Sequence, residues 1–256
     1  RRCVPNPEKE RSRTLGEHQV KKIWLATVAA ALHLSSTASQ AADDVATSAI
    51  AQVNTNNAVL ATGLTDLKAT LFASRTALPF DNGVAANNCA QYANLLSISA
   101  PEESIRSAEI RGEYLVCDAV RLLGGEPFIV TEAAIPANAA KTLFERLDMR
   151  TFPSSLRNRT DDKTHTLKTL LGSGTVTMTR DTAEIESGEH FFSLKVVGVV
   201  HRPSTKFGGR PQPDEWIVWV GDEIKDGNYK SYRTLIVRPP SVARGGLYTA
   251  SMYPVP

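Results

Sequence analysis

The spacing of apolar residues along this chain changes twice, and each change marks a different kind of segment. Residues 23–34 form a mainly apolar run of twelve, Ile23 to Leu34, directly after Lys21 and Lys22. From residue 43 to about residue 76 apolar side chains recur at threes and fours, which predicts one long helix with Ile50, Val53, Leu60, Leu64, Leu67 and Leu71 on a seam and a break at Asn57. Asn54, Thr55, Asn56 and Gly63 weaken that helix. A second helix is expected over residues 84–98, with Cys89, Tyr92, Ala93 and Leu96 near one face. A third opens at Ser99 and Pro101 and runs through Ile105, Ile110, Tyr114, Cys117, Val120 and Leu122 to Gly124-Gly125. Phe128-Ile129-Val130 is a short apolar run, and Asn138 caps a fourth helix ending near Asp148.

Beyond the polar, turn-rich stretch 150–170 the period falls to two. Strands are expected over 175–180, 190–201, 215–224, 229–237 and 246–252. Lys225-Asp226-Gly227-Asn228 reads as a hairpin turn in which Gly supplies a positive φ. Short connections between consecutive strands predict an antiparallel sheet. The fold class expected is therefore α+β: an N-terminal helical part with one disulfide-linked helical hairpin, then a C-terminal antiparallel β-sheet. Its parts are an upstream extension (1–19), a cleaved signal peptide (20–41), a helical region (42–149), a linker or long loop (150–170) and an antiparallel β region (171–256).

The signal-peptide assignment rests on order: a basic flank, a twelve-residue apolar run, then small residues at Ser39 and Ala41, with cleavage between Ala41 and Ala42. This resembles a bacterial secretory leader. Twelve residues are too few for a membrane-spanning helix, which needs about 20. Residues 1–19 are polar and aperiodic, and Val20 is taken as the start of the exported precursor. The leader and extension hold seven Lys and Arg against three Glu, so a formal charge of +2 becomes −2 in the mature chain. Nucleic-acid binding through a generally basic surface thereby loses its support.

Cys3 falls outside the mature chain, which leaves Cys89 and Cys117. In an oxidising periplasm two thiols that the fold brings together pair.

Recognised catalytic motifs are missing from the sequence: it holds no Walker A run, HExxH, CxxC pair or GxSxG elbow. Gly172-Ser173-Gly174 leads into a strand and reads as a turn. His165, His190 and His201 are too widely spaced for a zinc site, and no metal or cofactor is expected. Asp181, Glu184, Glu186 and Glu189 lack the ordered pattern of a calcium loop and read as a solvated hairpin. The connection 201–214 carries Arg202, Lys206, Phe207 and Arg210, suited to an anionic group or a partner surface. Trp216 and Trp219, three apart on one strand, point to opposite faces, so one can be core and the other lies on the outer face, covered by the helical half or offered to a partner.

These features favour a periplasmic or secreted, non-enzymatic binding or interaction protein, either an envelope-assembly component or an inhibitor-like module. Its partner is expected to be a protein of the cell envelope. Homodimerisation through residues 46–74 is the less favoured use of the first helix. Two rivals are a secreted hydrolase whose catalytic residues, one of the three histidines among them, converge only in the fold, and a small-ligand carrier.

Overall fold

The computed structural model describes residues 51–123, 128–131, 135–201, 213–240 and 245–253. The leader, the Ala41/Ala42 cleavage point, Ile50 and the loop residues Arg202, Lys206, Phe207 and Arg210 lie outside the described residues.

The chain builds a mixed eight-stranded sheet with helices against both faces. Its centre is β7, His190–His201, which pairs along its length with β8, Glu215–Ile224. Next come β9, Lys230–Arg238, and the edge strand β10, Thr249–Tyr253. On its other side β7 has two neighbours: β6, Thr182–Ser187, along its first half and β1, Ala51–Asn54, at its end. β5, Thr175–Met178, extends the sheet beyond β6, and β4, Phe128–Thr131, pairs in parallel with β1. The sheet thus draws two strands from the half expected to be helical. That corrects a purely C-terminal antiparallel sheet to a mixed one. A small hairpin of β2, Leu78–Pro79, and β3, Ala85–Ala86, stands apart.

The long first helix is also corrected. Residues 51–54 are strand β1, followed by two short helices, α1 over Ala58–Thr65 and α2 over Leu67–Phe72. Asn57, read as a break in the seam, is the N-cap of α1, its side chain accepting from the Leu60 N–H at 3.0 Å. Thr55 turns the chain by donating to the Val197 carbonyl at 2.5 Å and accepting from the Asn57 N–H. Capping by Asn and Thr outcompetes helix continuation where their side chains find these partners. Asp66 then caps α2, so Val53, Leu60 and Leu64 enter the chain's own core from separate elements.

The other helices are short as well. They are α3, Cys89–Leu95, α4, Ile105–Arg111, and α5, Leu115–Leu123. One helix was expected where α4 and α5 stand, but a 3-10 turn over Gly112–Tyr114 separates them. α6, Ala139–Arg146, follows Asn138, and α7, Leu167–Leu171, carries a Thr166–Thr169 capping box. Segment 150–170 is irregular, yet Phe152, Leu156, Leu167 and Leu170 are buried, and the Ser155 N–H and hydroxyl donate to the buried Asp222 of β8 at 2.7 and 2.6 Å.

Two apolar clusters lie on opposite faces of the sheet. One joins α6, α7 and segment 149–171 to Phe192, Leu194, Val196, Trp216 and Val218; the other joins α1, α3 and α5 to Val197, Val200 and Ile217. A bulge between Val196 and Gly198 sets this division. The extra residue reverses the alternation, so Val196 and Val199, three apart, share one face while Val197 and Val200 share the other. A sheet covered on both faces favours continuous apolar runs, as in Trp216-Ile217-Val218-Trp219-Val220.

The β8–β9 turn differs from expectation in one residue. Asp226, not Gly227, takes the positive φ, at 58°. Gly227 is needed because a Cβ there would come within 2.7 Å of the Ile224 side chain.

Candidate functional site

The two cysteines form a disulfide with Cα atoms 5.1 Å apart. It joins α3 to α5, with α4 between them in sequence. Within the helical layer it fastens a buried polar cluster, since Tyr92 lies one turn beyond Cys89 and Asp118 directly follows Cys117.

The Tyr92 hydroxyl donates to Asp118 Oδ1 at 3.0 Å, and Arg111 Nη2 donates to Asp118 Oδ2 at 2.9 Å. The Arg111 guanidinium also lies over the Tyr92 ring, 4.8 Å from its centre. In an unbroken helix Arg111 and Asp118 would be about 10 Å apart along the axis. The backbone keeps right-handed helical angles through the 3-10 turn over Gly112–Tyr114, and the long Arg111 side chain reaches along it to Asp118. Burial works against the charge on Arg111, but Asp118 and Tyr92 outweigh it and hold the guanidinium pKa above its ordinary value. Burial, reinforced by Asp118, pushes the Tyr92 phenol far above its usual range, so it remains a donor.

This cluster backs a groove of about 890 Å3 between the α3–α4 connection and the end of the β9–β10 pair. One wall runs from Leu96 through Ile98 and Pro101 to Ala108; the other carries Tyr229, Tyr232, Met252 and Tyr253, with Arg111 also in the lining. Ile98 is 75% exposed, a large apolar side chain standing at the mouth. Glu102 and Glu103 are exposed on the same wall. Opposite them Lys230 is bound to Glu109 at 2.6 Å, and the Tyr232 hydroxyl donates to Glu223 at 2.8 Å. The wall is held in place by the Phe80–Pro101 bridge and by the Glu102 N–H donating to the Pro79 carbonyl.

The structure scatters the residues singled out from the sequence. Trp216 belongs to one core, and Trp219 packs against the other beneath the helical layer, so neither occupies an open outer face. Glu184 and Glu186 are the exposed side of strand β6, whose Ala183 and Ile185 face inward. Of the histidines, His165 Nδ1 lies 3.2 Å from the Asp161 carbonyl. His201 Nδ1 is 2.6 Å from Asp214 Oδ1, and its Nε2 is 2.6 Å from Asn54 Nδ2. An Asp–His pair of that kind orients a general base, but here the second nitrogen meets an amide. Among the described residues no histidine is hydrogen-bonded to a Ser, Thr or Cys side chain, and no group of three or more His, Cys, Asp or Glu is placed to hold a metal ion. No helix among them is long and apolar enough to cross a membrane.

The groove was not foreseen from the sequence. Its tyrosines come from the β8–β9 turn, β9 and β10, and only strand pairing gathers them. The exposed Ile98 before the polar run Ser99–Ser104 was the one local signal.

Comparison with protein-family models, with curated proteins and with solved structures finds no match. Fold and site define the chain as a disulfide-bonded α+β protein with a buried Tyr–Asp–Arg cluster behind a tyrosine-lined groove.

Proposed function

We propose that the protein is exported to the periplasm and acts there as a non-enzymatic binding protein, serving an envelope assembly or inhibiting a partner through the groove beside Ile98. The groove is the observation that carries this reading. Its volume lies within the range of about 300–1,000 Å3 typical of ligand sites, and its lining mixes aromatic and apolar surface with a few fixed charges. Exposed Ile98 and the tyrosines supply contact area of the kind enriched at protein interfaces. Export is supported by the leader-like N-terminal sequence and by the disulfide, which belongs to oxidising compartments.

A photoreactive side chain placed at Ile98, and separately at Val59, which is 58% exposed on α1 and outside the groove, tests the reading in living cells. A defined adduct from position 98 and none from position 59 is expected. Equal labelling at both positions, or turnover of an ester, peptide or glycan substrate by the purified protein, would overturn it.

A further inference from the structure

The groove lies off an edge of the sheet. Every residue from Asn228 to Arg233 lines it, so both faces of β9 border one space. Lys230 and Tyr232 project to the helical side, where they meet Glu109 and Gly112 of the α4 end, and Ser231 and Arg233 project to the other. A space bordered by both faces of one strand is where an added strand would lie. Among the described residues β10 flanks β9 only as far as Tyr253, which pairs with Thr234. The Tyr248 and Ala250 N–H groups turn away from β9, to the Arg146 carbonyl and the Thr151 hydroxyl, so the odd-numbered residues of β10 bond to Thr234, Ile236 and Arg238. On β9 the even-numbered residues therefore face this edge; the odd ones face β8, in keeping with the Ile224 N–H donating to the Tyr229 carbonyl. Lys230 and Tyr232 thus aim their N–H and C=O groups into the groove beyond Tyr253, and among the described residues these groups meet no partner.

Charges in the lining are sorted by face. On the helical side Arg111 and Lys230 are bonded to Asp118 and Glu109, while Glu102 and Glu103 stand exposed with no ion pair among the described residues. On the other side Arg233 donates from Nε to the Ser231 hydroxyl at 2.8 Å and from Nη1 to the Met252 sulfur at 3.0 Å, and no carboxylate among the described residues is bonded to it. A thioether is a weak acceptor, so this guanidinium is still suited to an anion. Side chains of an antiparallel strand added here alternate. Those opposite Lys230 and Tyr232 point to the wall of Glu102, Glu103 and Ile105, and the one between them, opposite Ser231, points to Arg233.

We propose that the groove adds an extended internal segment of a protein partner, antiparallel, to the open edge of β9, with basic side chains against Glu102 and Glu103 and the acidic side chain between them on Arg233. This rests on the partner-binding reading above and narrows the partner to one that offers alternating basic and acidic residues on a backbone free to pair with Lys230 and Tyr232.

Octapeptides blocked at both ends, with Lys-Glu-Lys fixed at the centre and random flanks, test it against the intact, oxidised protein. Recovered peptides are expected to bind about tenfold weaker when either central Lys is N-methylated, because its N–H faces β9, and no weaker when the Glu is, because its N–H faces away. Replacing that Glu by Gln should weaken binding to the wild type and not to Arg233→Met. Replacing both Lys by Gln should weaken binding to the wild type and not to Glu102→Gln/Glu103→Gln. The N-methyl comparison needs only the wild-type protein, so folding of a variant does not obscure it. A loss that ignores this parity would overturn the strand assignment and leave the groove reading standing. Peptides indifferent to Tyr232→Ala and to both charge variants bind outside the groove and would overturn the proposal. Recovery of no peptide would overturn the extended segment alone, with labelling at position 98 still deciding the broader reading. Binding seen only after the chain is shortened to end at Tyr253 would give the edge to residues 254–256 of this chain and overturn the partner assignment.

Discussion

The two faces of the sheet are built on different terms. The face under α6 and α7 is closed by apolar contact: Leu143, Leu147, Leu167, Leu171, Leu194 and Val218 are almost wholly buried. The face under α3, α4 and α5 spends part of its interior on a disulfide and a Tyr–Asp–Arg cluster and leaves a groove beside them. Apolar packing alone would make the second face at least as stable, because a buried ion pair seldom outperforms well-packed hydrophobic side chains. Its charges are therefore better understood as positioning a surface than as holding the fold. The disulfide offsets the weakness of three helices that are each nine residues or shorter.

That contrast breaks most sharply at Arg111. Arg111→Met leaves Asp118 buried against Tyr92 with no cation bonded to it, and losing one member of a buried pair costs about 3–5 kcal/mol. The double change Arg111→Met/Asp118→Leu should recover much of that loss, since neither charge is then stranded. Urea denaturation of the wild type and both variants checks this, and a double variant no more stable than the single one would show that the charges hold the fold after all. Leu194→Ala on the opposite face should cost about 2–5 kcal/mol through lost burial and a cavity, with no comparable rescue by a second polar change. Next in size is the disulfide. Cys89→Ala/Cys117→Ala should lose roughly 3–4 kcal/mol, the chain-entropy value for a loop of this length, and should loosen the groove wall more than the α6–α7 layer. Hydrogen exchange read separately over α3–α5 and α6–α7 checks the second part, and uniform loosening would count against a local role.

The same contrast explains what the sequence made legible. β7 and β8 were read with their observed bounds, because β-branched runs between turn signals leave little choice. The N-terminal elements were harder. The threes-and-fours spacing of Val53, Leu60 and Leu64 is also what a strand, a capped turn and a short helix produce when all three contribute to one core, and Asn57 decides between the two only when its side chain is seen to cap α1. The odd offset of Trp216 and Trp219 puts them on opposite faces, and of the two covers open to the outer one the helical layer is what lies over Trp219. The groove was least legible of all, since its tyrosines lie on the β8–β9 turn, β9 and β10 and only strand pairing gathers them opposite the α3–α4 connection.

The smallest effect expected belongs to the apolar face and depends on pH. Burial alone would raise the Asp148 pKa, but the Arg150 side chain, with Nε and Nη2 each 2.9 Å from its oxygens, and the Arg150 N–H hold it below its ordinary value of 3.8. The folded protein thus favours the ionised carboxylate more than the unfolded chain does. The contribution is complete above about pH 5 and is lost as pH falls through 3.8 towards the lower folded value. Arg150 is 37% exposed, so solvent screening limits the contribution to about 1 kcal/mol or less. Arg150→Ala should therefore lie slightly below the wild type in urea midpoint at pH 6, with the gap closing towards pH 3. A gap that stays constant through that interval would mean that Arg150 acts through packing of its stem against segment 149–162. The charge pair would then be incidental on this face, leaving the cluster behind the groove as the place where ionisation shapes the molecule.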